Sequence, residues 1–501
     1  GLGDGHFFTY DSTRPVTGLL KPDTGRVKTL LTLSGTASDA GSVKSGVQGV
    51  WLNLVERLGI SPYKAWNGNS FVNTANQAAQ EDMWITPDVL SSGTSFWYEV
   101  FYDSWMAQEY EYRLVVKSTD AAGNWAAVYS TQTFTFDSAA PQSFITVPAH
   151  QGWKTAAFST ISGTANSDVE SPGTMKYKVY FTTKGGTGYW NGSNNWMGSD
   201  PGWLNVTWLG SGAQAGQWYH DDSDFLTKWE DGTTYYIQTQ AMDAATNTES
   251  PASTFWFKYD VTRPTSAISV PASGAYFSDI GQSFSGTYFD NFAGLTYGAG
   301  SSGLEILLWN KNSNLYWQGG GSWLSSQPGD WPNADVWVSS WSLTSPALTD
   351  AVDYVLVIRA TDLSGLAQTD FTIGKASITF TCDRGYPQLY ITKPDVDGRY
   401  RKTLTVLSGT STDGSGSGVA KVEVEIKQLS DNKYWREGTG LFDTLSSSYN
   451  ICSGVNPFTY SGFSGQLVSG TTYTITVKGN DGVNLSTTNV QRINILFDNT
   501  V

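Results

Sequence analysis

Along the chain, short runs of alternating apolar and polar residues are broken every few positions by Gly, Pro, Asn or Asp. That period of two, with frequent turn residues, is the pattern of half-buried strands rather than of helices. In the last quarter of the chain, Leu389 to Thr392 reads as a first strand bent at Pro394. Thr403 to Thr410 reads as a second, Val419 to Ile426 as a third, Tyr473 to Lys478 as a late central strand, and Ile493 to Phe497 as the closing strand. Proline donates nothing to a ladder, so the first strand is expected at a sheet edge.

The same punctuation recurs. An aromatic or Cys residue, then Asp, three residues and Pro, occurs at Tyr10-Asp11 with Pro15, Phe136-Asp137 with Pro141, Tyr259-Asp260 with Pro264, and Cys382-Asp383 with Pro387. Each Pro is followed seven residues on by another, at Pro22, Pro148, Pro271 and Pro394. Ser-Gly-Thr then begins at Ser34, Ser162, Ser285 and Ser408, and an alternating run ends in Asp at Asp120, Asp243, Asp362 and Asp481. Markers in a fixed order identify internal repeats. They divide the chain into 1–14, the closing strand of an incomplete unit plus a linker, and four repeats at 15–140, 141–263, 264–386 and 387–501. About seven strands in each repeat describe a two-sheet sandwich. The expected fold is all-β, four tandem immunoglobulin-like β-sandwich domains in a rod, because three-residue linkers leave little hinge freedom.

Composition agrees. The 501 residues include 53 Gly and 14% aromatics, with only 15% charged. No apolar stretch reaches the length of a membrane span. A net charge of −15 disfavours nucleic acid, which calls for clustered Lys and Arg. The three histidines, His6, His150 and His220, stand at unrelated points, so no triad or zinc set is suggested and the chain does not read as an enzyme.

The phrases Ser34-Gly-Thr-Ala-Ser-Asp39, Thr119-Asp-Ala-Ala-Gly-Asn124 and Tyr189-Trp-Asn-Gly-Ser193 resemble those of bacterial Ig-like repeat domains of large surface proteins, adhesins and extracellular filaments. The resemblance implies a secreted, cell-surface structural protein, a stalk or a subunit of a filament, sheath or layer, with an adhesin as the alternative. Its partners would then be copies of itself or other surface proteins.

Five sets of residues are weighed for a function. His6, Phe7, Phe8, Thr9, Tyr10 and Asp11 read as a closing strand without its unit, able to add to the sheet edge of a neighbouring molecule. Tyr-Trp recurs in the segment after the third strand, and Trp190, Trp196, Trp317 and Trp323 are candidates for stacking on a glycan or for an interface. The same rings would serve equally as a satellite core. Asp39, Asp168, Asp290 and Asp413 follow Ser-Gly-Thr, and Asp120, Asp243, Asp362 and Asp481 end the late strand. These carboxylates are candidate Ca²⁺ ligands, Ca²⁺ being the one cofactor considered, against a reading in which they cap turns. The run His220-Asp221-Asp222-Ser223-Asp224 suits a solvated loop. Cys382 and Cys452 are weighed as a disulfide and as two buried thiols.

Overall fold

The computed structural model describes residues 8–23, 25–91, 96–166, 175–183, 186–209, 216–488 and 490–500. The chain is nearly all β and makes two compact units, Gly1–Tyr259 and Asp260–Val501. Among the described residues, no helix is long and apolar enough to cross a membrane.

Within the first unit, Val16–Lys21, Thr32–Ser38, Phe96–Val100 and Val89–Leu90 form one sheet in that order. A second runs Arg26–Val27, Ser130–Phe136, Tyr110–Asp120, Val47–Glu56, Lys64–Trp66, Phe71–Asn73. The two inner faces meet in one cluster that includes Leu33, Leu52, Trp66, Trp97 and Tyr112. The same order of small and large sheet recurs after it in this unit and twice in the other, each pair around its own core. The chain is therefore built of β-sandwiches, as the alternation predicts.

Each recurrent motif has a packing reason. Ser-Gly-Thr lies on the central strand of the small sheet, where a Cβ on Gly35 would stand 2.1 Å from the Gly18 carbonyl and 2.5 Å from the Trp97 ring. Gly163, Gly286 and Gly409 meet the same obstruction, from Trp218, Trp341 and Phe458 respectively. Only glycine lets the neighbouring backbone and the ring approach so closely. The tyrosine that opens the late alternating run is buried, and its hydroxyl accepts the backbone N–H five residues upstream: Ala107 to Tyr112, Glu230 to Tyr235, Thr349 to Tyr354, Val468 to Tyr473. This is the corner that ties a central strand to the preceding turn in β-sandwiches.

The strand expectations for the last repeat hold at Gln388–Lys393, an edge as required, and at Val419–Gln428, Thr471–Asp481 and Gln491–Phe497. The second strand differs. It runs Leu407–Thr412, because Arg399–Arg401 pairs in parallel with Gln491–Phe497 in the other sheet, and the chain needs the residues between to cross over. Of the N-terminal segment, His6 and Phe7 lie outside the described residues; residues 8–14 form no strand, and Phe8 and Tyr10 are exposed.

Candidate metal centres

The linker aspartate, the aspartate after Ser-Gly-Thr and the one ending the late strand are far apart in sequence. Folding brings them together because all three lie at the same end of their sandwich. Asp11, Asp39 and Asp120 form one group, Asp260, Asp290 and Asp362 a second, Asp383, Asp413 and Asp481 a third. In each, one carboxylate oxygen from every residue lies within 4.8 Å of the others.

Backbone donors fix the carboxylates. Asp11 accepts the N–H of Thr13 at 2.9 Å and of Ser45 at 2.7 Å, and hydrogen bonds led by the Ser45 side chain hold its acid below the usual carboxylate range. Asp39 accepts from Gly46 N–H at 2.7 Å. Asp120 takes both the backbone and the side-chain nitrogen of Asn124 at 2.8 Å, and the same Asn124 Nδ2 donates to the carbonyls of Asp11 and Thr13. In the second group Asp290 accepts from Phe292 and Gly294, and Asp362 from Ser364 and Leu366. In the third, Asp383 accepts from Gly385 and Ser417, Asp413 from Gly418, and Asp481 from Val483 and Leu485.

These turn-capping bonds leave oxygens over. Asp39 Oδ1, Asp290 Oδ2, Asp362 Oδ2, Asp413 Oδ1 and Asp481 Oδ2 are shielded from solvent and have no hydrogen-bond partner. Burial pushes Asp413 up to about 6, and the Asp383 and Asp481 charges add to the rise; burial likewise raises Asp481. Two unit charges this close repel by about 3–4 kcal/mol at an effective dielectric of about 20. Buried, preoriented, unpartnered carboxylate oxygens are the donor set that a hard divalent cation takes.

The corresponding place in the second repeat is built differently. Asp137 and Asp243 are buried there and Asn247 ties them, donating to the Asp137 carbonyl and to Asp243. The Asp137 carboxylate, however, already accepts from Gln108 Nε2 at 2.6 Å and pairs with the Arg26 guanidinium at 3.3 Å. The third residue expected there, Asp168, lies outside the described residues.

Asp39, Asp120, Asp290, Asp362, Asp413 and Asp481 thus fall into groups that the sequence separates. In the sequence the linker residues Asp11, Asp260 and Asp383 stand as strand ends and boundary markers, and Asp11 also as the last residue of the candidate assembly strand. Their recurrence beside two other periodic aspartates was the signal that could have found them.

The remaining candidates sit elsewhere. Trp190 and Trp317 are buried, their indole N–H groups donating to Asp222 and to the Gly320 carbonyl. Trp196 and Trp323 are partly buried against the same cores, Trp196 bonded to the Lys228 carbonyl. The run beginning at His220 departs from a solvated loop. His220 lies within the strand Gln217–Asp221 and packs on Tyr177 at 4.5 Å, burial lowers its pKa, and Asp222 holds Trp190. Cys382 and Cys452 are not bridged; they are free, each buried in a different core, and burial pushes both thiols up to about 12.

No protein-family model and no curated protein matches the chain. Among solved structures, a tetra-tandem repeat from the extending region of a large adhesion protein aligns at 17% identity with a TM-score of 0.26, covering 98% of this chain and 100% of that one. A Ca²⁺-stabilised adhesin with which an Antarctic bacterium binds ice aligns at 14% and 0.24, covering 98% and 100%. A 1.5-MDa bacterial ice-binding adhesin aligns at 11% and 0.29, covering 75% and 99%. Scores this low assign this chain neither a family nor a role.

Proposed function

We propose that the chain is an extracellular structural protein, a stalk or a subunit of a surface filament, sheath or layer, whose aspartate triads take Ca²⁺. The observation that carries this reading is the triad itself: three carboxylates drawn together three times, with buried oxygens left unpartnered. A protein that gathers like charges at the same point of three of its repeats gains nothing from them until a cation arrives. Bound there, the cation would join the aspartate that ends one repeat to two loops of the repeat that follows, under the division at residues 14, 140, 263 and 386. Asp11, Asp39 and Asp120 would supply the first set of ligands, Asp260, Asp290 and Asp362 the second, Asp383, Asp413 and Asp481 the third.

The test is calorimetric titration of the full chain with CaCl₂, followed by negative-stain microscopy of the native material with and without chelator. Saturable binding that is lost in Asp413→Asn for one site, together with assemblies that depend on calcium, supports the reading. A chain that takes up no calcium removes it.

Self-association through residues 6–11 belongs to the same proposal. Phe8 and Tyr10 are exposed and available, whereas Asp11 is engaged in the first triad, so the pairing segment would end at Tyr10. Deleting residues 1–9 should abolish assembly while leaving calcium uptake intact; unchanged assembly would remove this element alone. The rival reading, an adhesin array that grips glycans through Trp190, Trp196, Trp317 and Trp323, loses support from the burial of Trp190 and Trp317, whose faces are taken by their own cores.

A further inference from the structure

In every repeat an aromatic pair is held across the short hairpin beyond the third strand. Trp66 stands opposite Phe71, Trp190 opposite Trp196, Trp317 opposite Trp323 and Trp435 opposite Phe442. The first ring of each pair is buried. The second lies against the corner tyrosine, 5.3 Å from Tyr112, 5.3 Å from Tyr235, 5.9 Å from Tyr354 and 5.3 Å from Tyr473 in turn.

What covers the second ring differs. In the first repeat Phe101 reaches Phe71 at 6.5 Å. In the second, Trp229 lies 6.0 Å from Trp196, whose indole N–H donates to the Lys228 carbonyl at 2.8 Å. Both covering rings come from the segment before the late strand. The corresponding stretch of the third repeat, Ser345-Pro-Ala-Leu-Thr-Asp-Ala-Val352, contains no aromatic residue. A cavity of about 430 Å³ stands there, with Trp323 and Tyr354 in its lining. That volume is in the range of small-ligand sites, roughly 300–1,000 Å³. Among the described residues, no hydrogen bond reaches the Trp323 indole N–H.

The polar part of the lining is set by the turn between Leu304–Asn310 and Leu315–Trp317. Asn310 is buried, and its Oδ1 accepts the N–H groups of Asn312 at 3.1 Å and Ser313 at 3.0 Å. One proton of its Nδ2 goes to the Tyr354 hydroxyl at 3.4 Å; the other has no acceptor among the described residues. The side chains of Asn312 and Ser313 are exposed and make no hydrogen bond among those residues either. None of the residues lining the cavity is charged, and Lys311, Asp350 and Asp353 lie outside the lining. Burial raises the Tyr354 acid above its ordinary value, so that group stays protonated. An ionic ligand would find no countercharge in this lining, and a wholly apolar one would leave the amides and the indole N–H unpaired.

We propose that this cavity of the third repeat binds a neutral hexopyranose, the terminal unit of a glycan. The Trp323 ring lies against the C–H face of the sugar. Its N–H, the free Asn310 amide proton and the side chains of Asn312 and Ser313 bond the sugar hydroxyls. Of the four tryptophans that the sequence offers for a glycan, the other three have their N–H groups engaged, by Asp222, by the Lys228 carbonyl and by the Gly320 carbonyl. The site goes beyond the structural role proposed above, giving one repeat of a stalk a carbohydrate to hold.

The test is saturation-transfer difference NMR on the full chain at fixed calcium. The probes are the methyl glycosides of glucose, galactose, mannose and N-acetylglucosamine, with that of glucuronic acid as the charged control. Transfer to the ring C–H protons of at least one neutral glycoside is expected, with a dissociation constant of about 1 mM, the range that so few ligand atoms reach. Trp323→Ala should weaken binding by about tenfold, the loss typical of an aromatic anchor. Ala347→Trp, at an exposed position of the lining, fills the cavity with a ring much as Trp229 covers Trp196. It should abolish transfer in a folded chain, and it decides the matter if Trp323→Ala fails to fold. No transfer to any neutral glycoside, equal transfer to the glucuronide, or wild-type transfer in either folded variant would overturn the proposal. Calcium titration of the same samples reports separately on the triads, since no residue of the cavity belongs to one.

Discussion

The group Asp383, Asp413, Asp481 and the pair Asp137, Asp243 occupy the same register of two repeats, yet they solve the burial of acid in different ways. In the first, three carboxylates face one another with Asp413 Oδ1 and Asp481 Oδ2 left unpartnered. In the second, Arg26 and Gln108 reach the linker aspartate, so its charge is met by the protein's own side chains. A second difference lies four residues after Asp120, Asp243, Asp362 and Asp481. Asn124 and Asn247 donate to the linker carbonyl in the first two repeats, whereas Leu366 and Leu485 stand in the last two and can donate only through their backbone. The second repeat thus holds the preceding linker with the protein's own cation and amide, while the triads leave buried carboxylate oxygens that, on the function proposed above, a metal ion would take.

The comparison can be broken at its strongest point first. Arg26→Gln removes the cation from a buried carboxylate, and breaking such a pair by deleting one partner costs about 3 kcal/mol. The expected result is a lower urea midpoint, with calcium affinity at the site containing Asp413 unchanged. A midpoint equal to wild type would mean that Asp137 does not depend on Arg26.

Next in size is the metal. Calcium at a hundred times its dissociation constant stabilises a site by about 2.7 kcal/mol through mass action. Thermal unfolding with and without chelator should show an increment of that order, and Asp413→Asn should abolish the part due to the last repeat. The same increment in the variant would place the ion elsewhere.

The pH dependence has a definite sign. Asp413 holds its proton up to about 6 in the folded chain against an ordinary value of 3.8. The folded state therefore binds more protons than the unfolded state between these values, and the metal-free chain should lose stability as pH rises from about 4 through about 6. With calcium present the trend should reverse, because the ion binds the carboxylate form. Unfolding scans across this range, with chelator and with excess calcium, check both slopes. Parallel slopes would show that no cation competes with that proton.

The smallest effect is expected at Asn124. Asn124→Leu, which copies the last two repeats, removes the bonds to the carbonyls of Asp11 and Thr13 and should cost about 1 kcal/mol. The loss should be greater in chelator than in calcium if the two means of holding the linker are alternatives, and denaturation under both conditions would tell.

The alternation, the spacing of Asp, Pro and Ser-Gly-Thr, and the scarcity of charge were enough to read β-sandwiches and the number of repeats. These are local signals, since a strand shows its inward face in the sequence itself and a turn shows its Gly or Pro. Ser-Gly-Thr was legible as a marker, but its reason was not: Gly35 is glycine because Trp97 and the Gly18 carbonyl crowd it, and both come from other strands. The aspartates after Ser-Gly-Thr and at the end of the late strand were legible as candidate ligands. That Asp11, Asp260 and Asp383 complete their groups was not, because the three residues of a group are separated by up to 109 positions. The glycan candidates fared differently again: composition marked the Trp residues, while burial decided that Trp190 and Trp317 belong to cores.

The sequence by itself therefore determined which residues point inward, where the strands break and how often the unit repeats, because each depends on neighbours along the chain. Only the tertiary structure decided which carboxylates meet, which find a lysine, arginine or amide, and which aromatic rings line up across Tyr189, Tyr180, Tyr236 and Trp256. Those outcomes depend on register between strands distant in sequence, and register is fixed by packing on the opposite face of the sheet.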